Sequence, residues 1–288
     1  MKFKNILLII LNLMLSLNLT ALRLPVKNAK LTSTFGESRK DHFHNGIDFG
    51  GGSQKIYPFM DGNIIFYYDR ADFPFENYPG GGNFVIVDHQ GKMRSYYLHC
   101  KDNSINKKDF TVTETNCIAV SYDTGHSYGI HLHFQIEKMS PHEFINPLIF
   151  YKEFLTDKTK PKINGVFIRE NSSDKIIRIG KEARIQPTDS LTILLDAYDK
   201  VGNKYKMAPF SITVFLNGDR TRYYKFDKLL INENKYYLYP SYSFTDIYYG
   251  GYYKVAEFTP SAKEYDIKII VEDLWGNRTE TERKIIIK

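Results

Sequence analysis

Short runs of β-branched and aromatic residues alternate with polar turns along the first half of the chain. Three such runs cover residues 63–68, 84–88 and 93–98, with glycine- or aspartate-containing turns between them. Runs of this length, bounded by turn residues, predict β-strands. No segment shows a sustained helical period, so we expect the first half to be built from strands.

The second half alternates in the same way, for example over residues 191–195 and 266–271. Two similar turns, at residues 199–203 and 273–277, each contain Asp, Gly and Asn between strand-like runs, which predicts hairpins. We therefore predict an immunoglobulin-like β-sandwich of about 125 residues in this half. The many tyrosines between residues 236 and 253 could stack on a sugar, but half-buried rings in sandwich strands are the favoured interpretation.

A polar, proline-bearing stretch at residues 158–162 has the character of a linker. The predicted organisation is a first domain over residues 22–157 and the sandwich over residues 161–288, both mainly β. Every histidine and both cysteines precede the linker, so the chemistry is expected in the first domain.

Residues 1–21 carry a different pattern. Lys2 and Lys4 precede an apolar run over residues 6–19, and Ala21 offers a small residue for cleavage. This order is typical of a secretory signal peptide, and the run is shorter than the roughly 20 apolar residues that a spanning helix needs. We expect export to the periplasm or cell envelope, with a retained N-terminal anchor as the alternative.

The composition narrows the classes of partner. The net charge is +6, but no Lys/Arg stripe accompanies it, so we expect no nucleic acid partner. Two cysteines cannot form a disulfide framework or a cysteine-rich metal site. Whether Cys100 and Cys117 pair is left open by the sequence.

Five residues of metal-ligand type lie in three clusters, namely His44 with Asp48, His99 alone, and His131 with His133. In a strand, residues 131 and 133 project from the same face. Catalytic zinc sites take three nitrogen or oxygen ligands from the protein and leave a fourth position to water. Three of the five residues would fill such a shell and two would remain for proton transfer, and the spacing alone does not decide which.

Four segments in the same order resemble the LytM/lysostaphin-like zinc metallopeptidases, the duplicated hybrid motif family of peptidoglycan endopeptidases. The resemblance covers about residues 32–147, and its segments are residues 34–49, 57–64, 83–99 and 124–134. Two departures stand out. Ile130 replaces the usual proline, and the usual glycines are missing over residues 113–119.

The resemblance implies a small, largely antiparallel β-sheet domain in which His44, Asp48 and His133 hold Zn²⁺ in a groove. It also implies that His99 and His131 are the catalytic pair, with His131 taking a proton from water and His99 stabilising charge on the carbonyl oxygen. Residues 69–82 would form a wall of that groove. The other histidines are expected to be surface or structural residues: His42, His89, His126 and His142.

The implied function is that of an exported zinc metalloendopeptidase that hydrolyses peptide cross-links of bacterial peptidoglycan. Two alternatives remain. One is a non-enzymatic regulator of a separate wall hydrolase, although such relatives usually lack ligands that this chain retains. The other is a zinc peptidase that acts on a protein substrate. The sequence leaves open which cross-link is cut, whether the second domain contacts an envelope protein, and the oligomeric state.

Overall fold

The computed structural model describes residues 22–186, 190–202 and 204–288, so the predicted signal peptide lies outside the described residues. Strands account for 49% of the described residues and helices for 4%, which confirms the prediction of a mainly β protein. None of the helices that the structure describes has the length and hydropathy of a membrane span.

The strands follow one another closely along the chain. In chain order they are β1 (Lys30–Ser33), β2 (Ile47–Gly50), β3 (Lys55–Ile56), β4 (Gly62–Tyr68), β5 (Asn83–His89), β6 (Met93–Cys100), β7 (Thr111–Val112), β8 (Ala119–Val120), β9 (Leu132–Met139), β10 (His142–Ile145), β11 (Lys162–Glu170), β12 (Ile176–Arg178), β13 (Glu182–Ile185), β14 (Leu191–Tyr198), β15 (Ser211–Leu216), β16 (Asp219–Lys225), β17 (Lys228–Asn232), β18 (Lys235–Leu238), β19 (Tyr248–Tyr249), β20 (Tyr252–Phe258), β21 (Glu264–Glu272) and β22 (Arg278–Ile287). Two short α-helices are α1 (Leu148–Tyr151) and α2 (Phe244–Ile247), and Arg70–Asp72 form a 3₁₀ turn.

The chain folds into two compact units whose boundary does not follow the order of the sequence. Of the described residues, the first unit contains 22–29 and Gly50–His133, and the second contains the described parts of Lys30–Phe49 and Phe134–Lys288. Strand β9 therefore begins with the last two residues of the first unit and continues in the second.

The first unit is built on an antiparallel sheet in the order β6-β5-β4-β7, and β3 pairs with β8 beside it. Strand β5 shows why the sequence alternates, because Val85 and Val87 are fully buried while the residues between them are partly exposed. Cys100 and Cys117 are both free thiols, and burial raises the pKa of Cys100 above its ordinary value.

The second unit contains two groups of strands. Strands β18-β17-β10-β9 follow one another in one sheet, and β2 pairs with both β1 and β9. The sandwich consists of two five-stranded sheets, in the orders β12-β11-β14-β20-β19 and β13-β22-β21-β15-β16. In β21 the side chains of Tyr265, Ile267, Ile269 and Val271 are buried and alternate with more exposed residues, so one face of that strand packs in the core.

Two details of the sequence prediction are wrong. Residues 273–277 connect β21 to the antiparallel β22 as expected. The turn that begins at Asp199 is closed by an isolated antiparallel bridge between Asp199 and Met207, and the strands on either side, β14 and β15, belong to different sheets. Tyr236 and Tyr237 lie in β18, which pairs with β17 and through it with β10, not with the sandwich sheets. Both errors have one cause, since alternation identifies a strand but not its pairing partner.

Candidate metal and active site

His44 and Asp48 lie at the end of the segment that joins β1 to β2. The Nδ1 atom of His44 is 2.7 Å from the Thr34 carbonyl oxygen, and since a carbonyl only accepts, Nδ1 carries the proton and donates it. The Nε2 atom is 3.1 Å from Asp48 Oδ1. In the neutral ring Nε2 is an acceptor like Oδ1, so the two atoms suit a cation bound by both.

The second oxygen of Asp48 is held from the other side. Arg39 Nη2 donates to Asp48 Oδ2 at 3.2 Å and to Ser33 Oγ at 2.6 Å, while Arg39 Nη1 donates to Glu37 Oε2 at 3.0 Å. Ser33 also donates to Glu37. Asp48 therefore presents Oδ1 on the side of His44 and keeps Oδ2 in this network, which is how outer partners orient a ligating carboxylate.

Residues of the C-terminal half fix the same β1–β2 segment. Ala208 N–H donates to Glu37 Oε1 at 3.2 Å, and the Tyr248 hydroxyl donates to the Gly36 carbonyl at 2.7 Å. Gly36 has φ +83°, and a Cβ added there would lie 2.3 Å from Phe226 Cδ1. The position accepts only glycine, for backbone and packing reasons together.

His99, His131 and His133 lie close together in the first unit. The ring centroid of His99 is 4.8 Å from that of His131 and 6.0 Å from that of His133. His99 Nδ1 is 2.7 Å from the Thr124 carbonyl oxygen, and His131 Nδ1 is 2.7 Å from the Gly129 carbonyl oxygen. Both Nδ1 atoms are therefore donors, and each ring turns Nε2 away from its backbone partner.

The backbone around His99 is unusual. His99 has φ +61°, which is uncommon outside glycine and costs of order 1–3 kcal/mol. Thr124 braces this region, because its hydroxyl accepts from Asn83 N–H at 3.0 Å and donates to the Cys100 carbonyl at 2.9 Å. At Gly125, an added Cβ would lie 2.2 Å from Gly82 N, so these two loops approach at backbone distance.

Asp123, for which the sequence predicts no role, closes the loop that carries His131. Asp123 Oδ1 accepts from Gly129 N–H at 2.9 Å. Its pKa is lowered, chiefly by the Ser127 hydroxyl and then by Gly129 N–H and the nearby His131. The sequence did not predict four contributors, because residue spacing does not show how a loop folds polar side chains onto one another or onto the backbone: Ser33, Glu37, Arg39 and Asp123.

The three predicted ligands can hold a metal ion. One ligand atom from each of His44, Asp48 and His133 lies within 4.8 Å of the others, and the three residues are 4%, 9% and 8% exposed. Two imidazoles and one carboxylate are a donor set that suits zinc. Of the other two predicted site residues, His99 has its ring beside that of His133, and His131 has its ring beside that of His99.

The remaining histidines lie outside this group. His42 is exposed beside Asp41, and His142 contacts Glu137. His89 is buried, with its ring bonded to the Asp61 carbonyl and the Ser95 hydroxyl, and burial lowers its pKa.

A model of peptidase family M23 matches residues 42–147. This match covers 106 of the 288 residues. All five predicted site residues fall within the M23 match, and a second family model, without a description, matches residues 160–288.

Individual relatives match about two fifths of the chain. The peptidoglycan DD-endopeptidase ShyB of Vibrio cholerae is 31% identical over 123 residues, which are 40% of this chain and 27% of that protein. The chain thus spans about a quarter of this curated relative. A zinc-containing peptidase from Vibrio cholerae aligns over 41% of this chain and 37% of its own, with 29% identity and a TM-score of 0.34. The catalytic domain of lysostaphin from Staphylococcus simulans aligns over 43% of this chain and 93% of its own, with 27% identity and a TM-score of 0.35.

Proposed function

We propose that this chain is an exported zinc metalloendopeptidase that hydrolyses peptide cross-links of bacterial peptidoglycan. One observation carries the proposal: an M23 domain brings two imidazoles and a carboxylate, all buried, within 4.8 Å of one another. The name of the Vibrio cholerae relative, a peptidoglycan DD-endopeptidase, supports the substrate class and makes a D,D cross-link the first bond to test.

His44, Asp48 and His133 would hold the zinc ion. When bound, zinc supplies Lewis acidity to water and to the scissile carbonyl. The chain prepares two of these ligands, since the Thr34 carbonyl fixes the tautomer of His44 and Arg39 fixes the orientation of Asp48.

His131 and His99 would move protons and stabilise charge. His131 donates from Nδ1 to Gly129, so its neutral ring has an acceptor at Nε2 and can take the proton of the attacking water. His99 donates from Nδ1 to Thr124, so it offers a second N–H to the carbonyl oxygen only when its ring carries both protons. In that form His99 stabilises the negative charge that develops on this oxygen.

The proposed organisation follows the sequence. Residues 1–21 direct export to the periplasm or envelope, residues 22–157 form the peptidase domain, and residues 161–288 form the sandwich. The substrate is the peptide part of the cell wall.

The test is hydrolysis of purified, cross-linked sacculi, with the released products identified by mass spectrometry. We expect about one zinc per chain and muropeptides cut in their cross-links. His133→Ala should abolish hydrolysis and reduce the zinc content. His42→Ala, which changes an exposed histidine outside the group, should leave both unchanged.

Two results would contradict the proposal. Full activity of folded His133→Ala would refute the assigned zinc site. Binding of the zinc-free protein to a wall hydrolase, without hydrolysis by the zinc-loaded protein, would establish the regulator alternative instead.

A further inference from the structure

A second group of acidic side chains lies far along the chain from the histidines. One carboxylate oxygen from each of Asp157, Asp199 and Asp273 lies within 4.8 Å of the others. The three residues are 7%, 3% and 2% exposed. Within the described part of the chain, none of the three has an ion-pair partner among the basic side chains. Three buried carboxylates without a counter-charge repel one another, so the fold needs something that neutralises them.

The hydrogen bonds of the group leave one buried oxygen unused. Asp273 accepts from Asn277 at both oxygens, at 2.8 and 2.7 Å, and Asp199 Oδ1 accepts from Lys200 N–H at 2.8 Å. Asp157 Oδ1 accepts from Thr159 N–H at 2.7 Å, but Asp157 Oδ2 is buried without any hydrogen-bond partner. A buried carboxylate oxygen with no donor is costly. A cation bound at this oxygen would remove that cost.

The three residues lie where a bound ion would connect different parts of the sandwich. Asp199 directly follows β14 and Asp273 directly follows β21, and these strands belong to the two different sheets of the sandwich. Asp157 lies in the segment that joins α1 to β11 and that contains the predicted linker. An ion bound by all three would join both sheets to this segment at one end of the sandwich.

Neighbouring bonds already bring the α1–β11 segment to this end. The Asn277 side-chain amide donates to the Asp157 carbonyl at 3.1 Å, and the Trp275 indole N–H donates to the Lys152 and Leu155 carbonyls at 3.1 and 3.0 Å. Asn277 thus donates hydrogen bonds to the Asp273 carboxylate and to the Asp157 carbonyl at the same time. These bonds hold Asp157 and Asp273 close to each other.

We propose that Asp157, Asp199 and Asp273 form a structural calcium site that is separate from the zinc site. The all-oxygen, triply acidic donor set favours a hard cation over zinc, which prefers nitrogen and sulfur donors. Calcium accepts irregular oxygen geometries, whereas magnesium demands a near-ideal octahedron. The three carboxylates come from three separate segments of the chain, after β14, after β21 and before β11, which suits an ion of flexible coordination.

The test is calcium binding to chelator-treated, full-length protein by isothermal titration calorimetry and thermal unfolding. We expect one calcium per chain and a rise in Tm of about 5 °C or more at saturation. Asp199→Asn and Asp157→Asn should each weaken calcium binding at least about tenfold, since each removes a charged ligand. Asp266→Asn, at an exposed position of β21, is the matched control and should bind as the wild type does.

The outcomes separate clearly. No calcium binding by the wild-type protein, tighter binding of magnesium than of calcium, or unchanged calcium affinity in a folded Asp157→Asn variant would each overturn the site. The wild-type titration is decisive even if a variant fails to fold. The same calcium shift is expected in His133→Ala, so failure of the proposed peptidase activity leaves this proposal intact, and the reverse also holds.

Discussion

Arg39 is the residue on which the orientation of Asp48 depends. Its guanidinium group donates to Asp48, Ser33 and Glu37 at once. A planar fork with several donors can satisfy three acceptors in fixed directions, which a flexible amide or ammonium cannot do. Arg39 touches none of the reacting atoms, so its effect on chemistry passes through the position of the Asp48 carboxylate.

We predict that Arg39→Gln weakens zinc affinity roughly 10–100-fold, the usual effect of losing a partner of a metal ligand. Asp48 would then be free to turn away from His44. Competition with a chromophoric chelator measures the affinity. Arg94→Gln, which removes a surface contact to Asp88 of 3.5 Å, should leave zinc affinity unchanged. Equal affinities of wild type and Arg39→Gln would show that Asp48 needs no such support.

At the scale of the residue, the sequence predicted which histidines would form the site but not the groups that orient their rings. Motif spacing singled out His44, His99 and His131, but each ring is oriented by a backbone carbonyl, of Thr34, Thr124 and Gly129 respectively. Any residue type supplies a carbonyl, so the sequence carries no signal for these partners.

The β1–β2 segment is the element that links the ligands to the rest of the second unit. Gly36 in this segment approaches Phe226, and its carbonyl accepts from Tyr248. Both aromatic side chains come from the C-terminal half, 190 and 212 residues away from Gly36 in sequence. Their packing, and not local propensity, therefore sets the path of the chain toward His44.

We predict that Gly36→Ala lowers the free energy of unfolding by about 2–4 kcal/mol, since the cost of a positive φ adds to overpacking against Phe226. Gly218→Ala is the matched control, because Gly218 has φ +89° but no atom within 4 Å of an added Cβ. It should lose only about 1 kcal/mol. Urea denaturation of both variants measures the difference. Equal losses would mean that the contact with Phe226 is easily relieved.

The sequence predicted strands correctly where a local run of β-branched and aromatic residues is enough to form one. The runs at 63–68, 84–88 and 93–98 lie in β4, β5 and β6. Pairing was not predictable for β17 and β18, which extend the sheet of β10. Edge pairing depends on which backbone donors and acceptors remain unsatisfied after folding, and alternation of side chains contains no information about them.

At the scale of the whole molecule, the second unit combines residues that the sequence divides between two predicted domains. Lys30–Phe49 belong to the same compact unit as the sandwich. The segment carrying His44 and Asp48 therefore shares its stability with strands that lie after the linker. The aspartate group at residues 157, 199 and 273 lies in the same unit, so its charge state should influence the stability of that whole unit.

The charge state of this group predicts an unusual pH dependence in the absence of calcium. Burial, assisted by the negative charges of Asp157 and Asp273, raises the pKa of Asp199 to about 7. An unfolded aspartate titrates near 3.9, so between about pH 4 and pH 7 the folded chain holds a proton that the unfolded chain has released. The stabilisation from this proton is complete below about pH 4 and is lost as the pH rises through about 7.

We predict that, in chelator, the free energy of unfolding of the wild type relative to Asp199→Asn falls as the pH is raised from about 5 to 7.5. The variant cancels the contribution of the titrating groups that do not interact with position 199. With saturating calcium the trend should reverse, since the ion competes with the proton for the same carboxylates and binds more tightly at the higher pH. Urea denaturation at the two pH values, with and without calcium, measures the four differences. A difference between wild type and variant that does not change with pH in chelator would show that Asp199 is ionised in the folded chain throughout this range, and the repulsion within the group would then have to be relieved by some other contact.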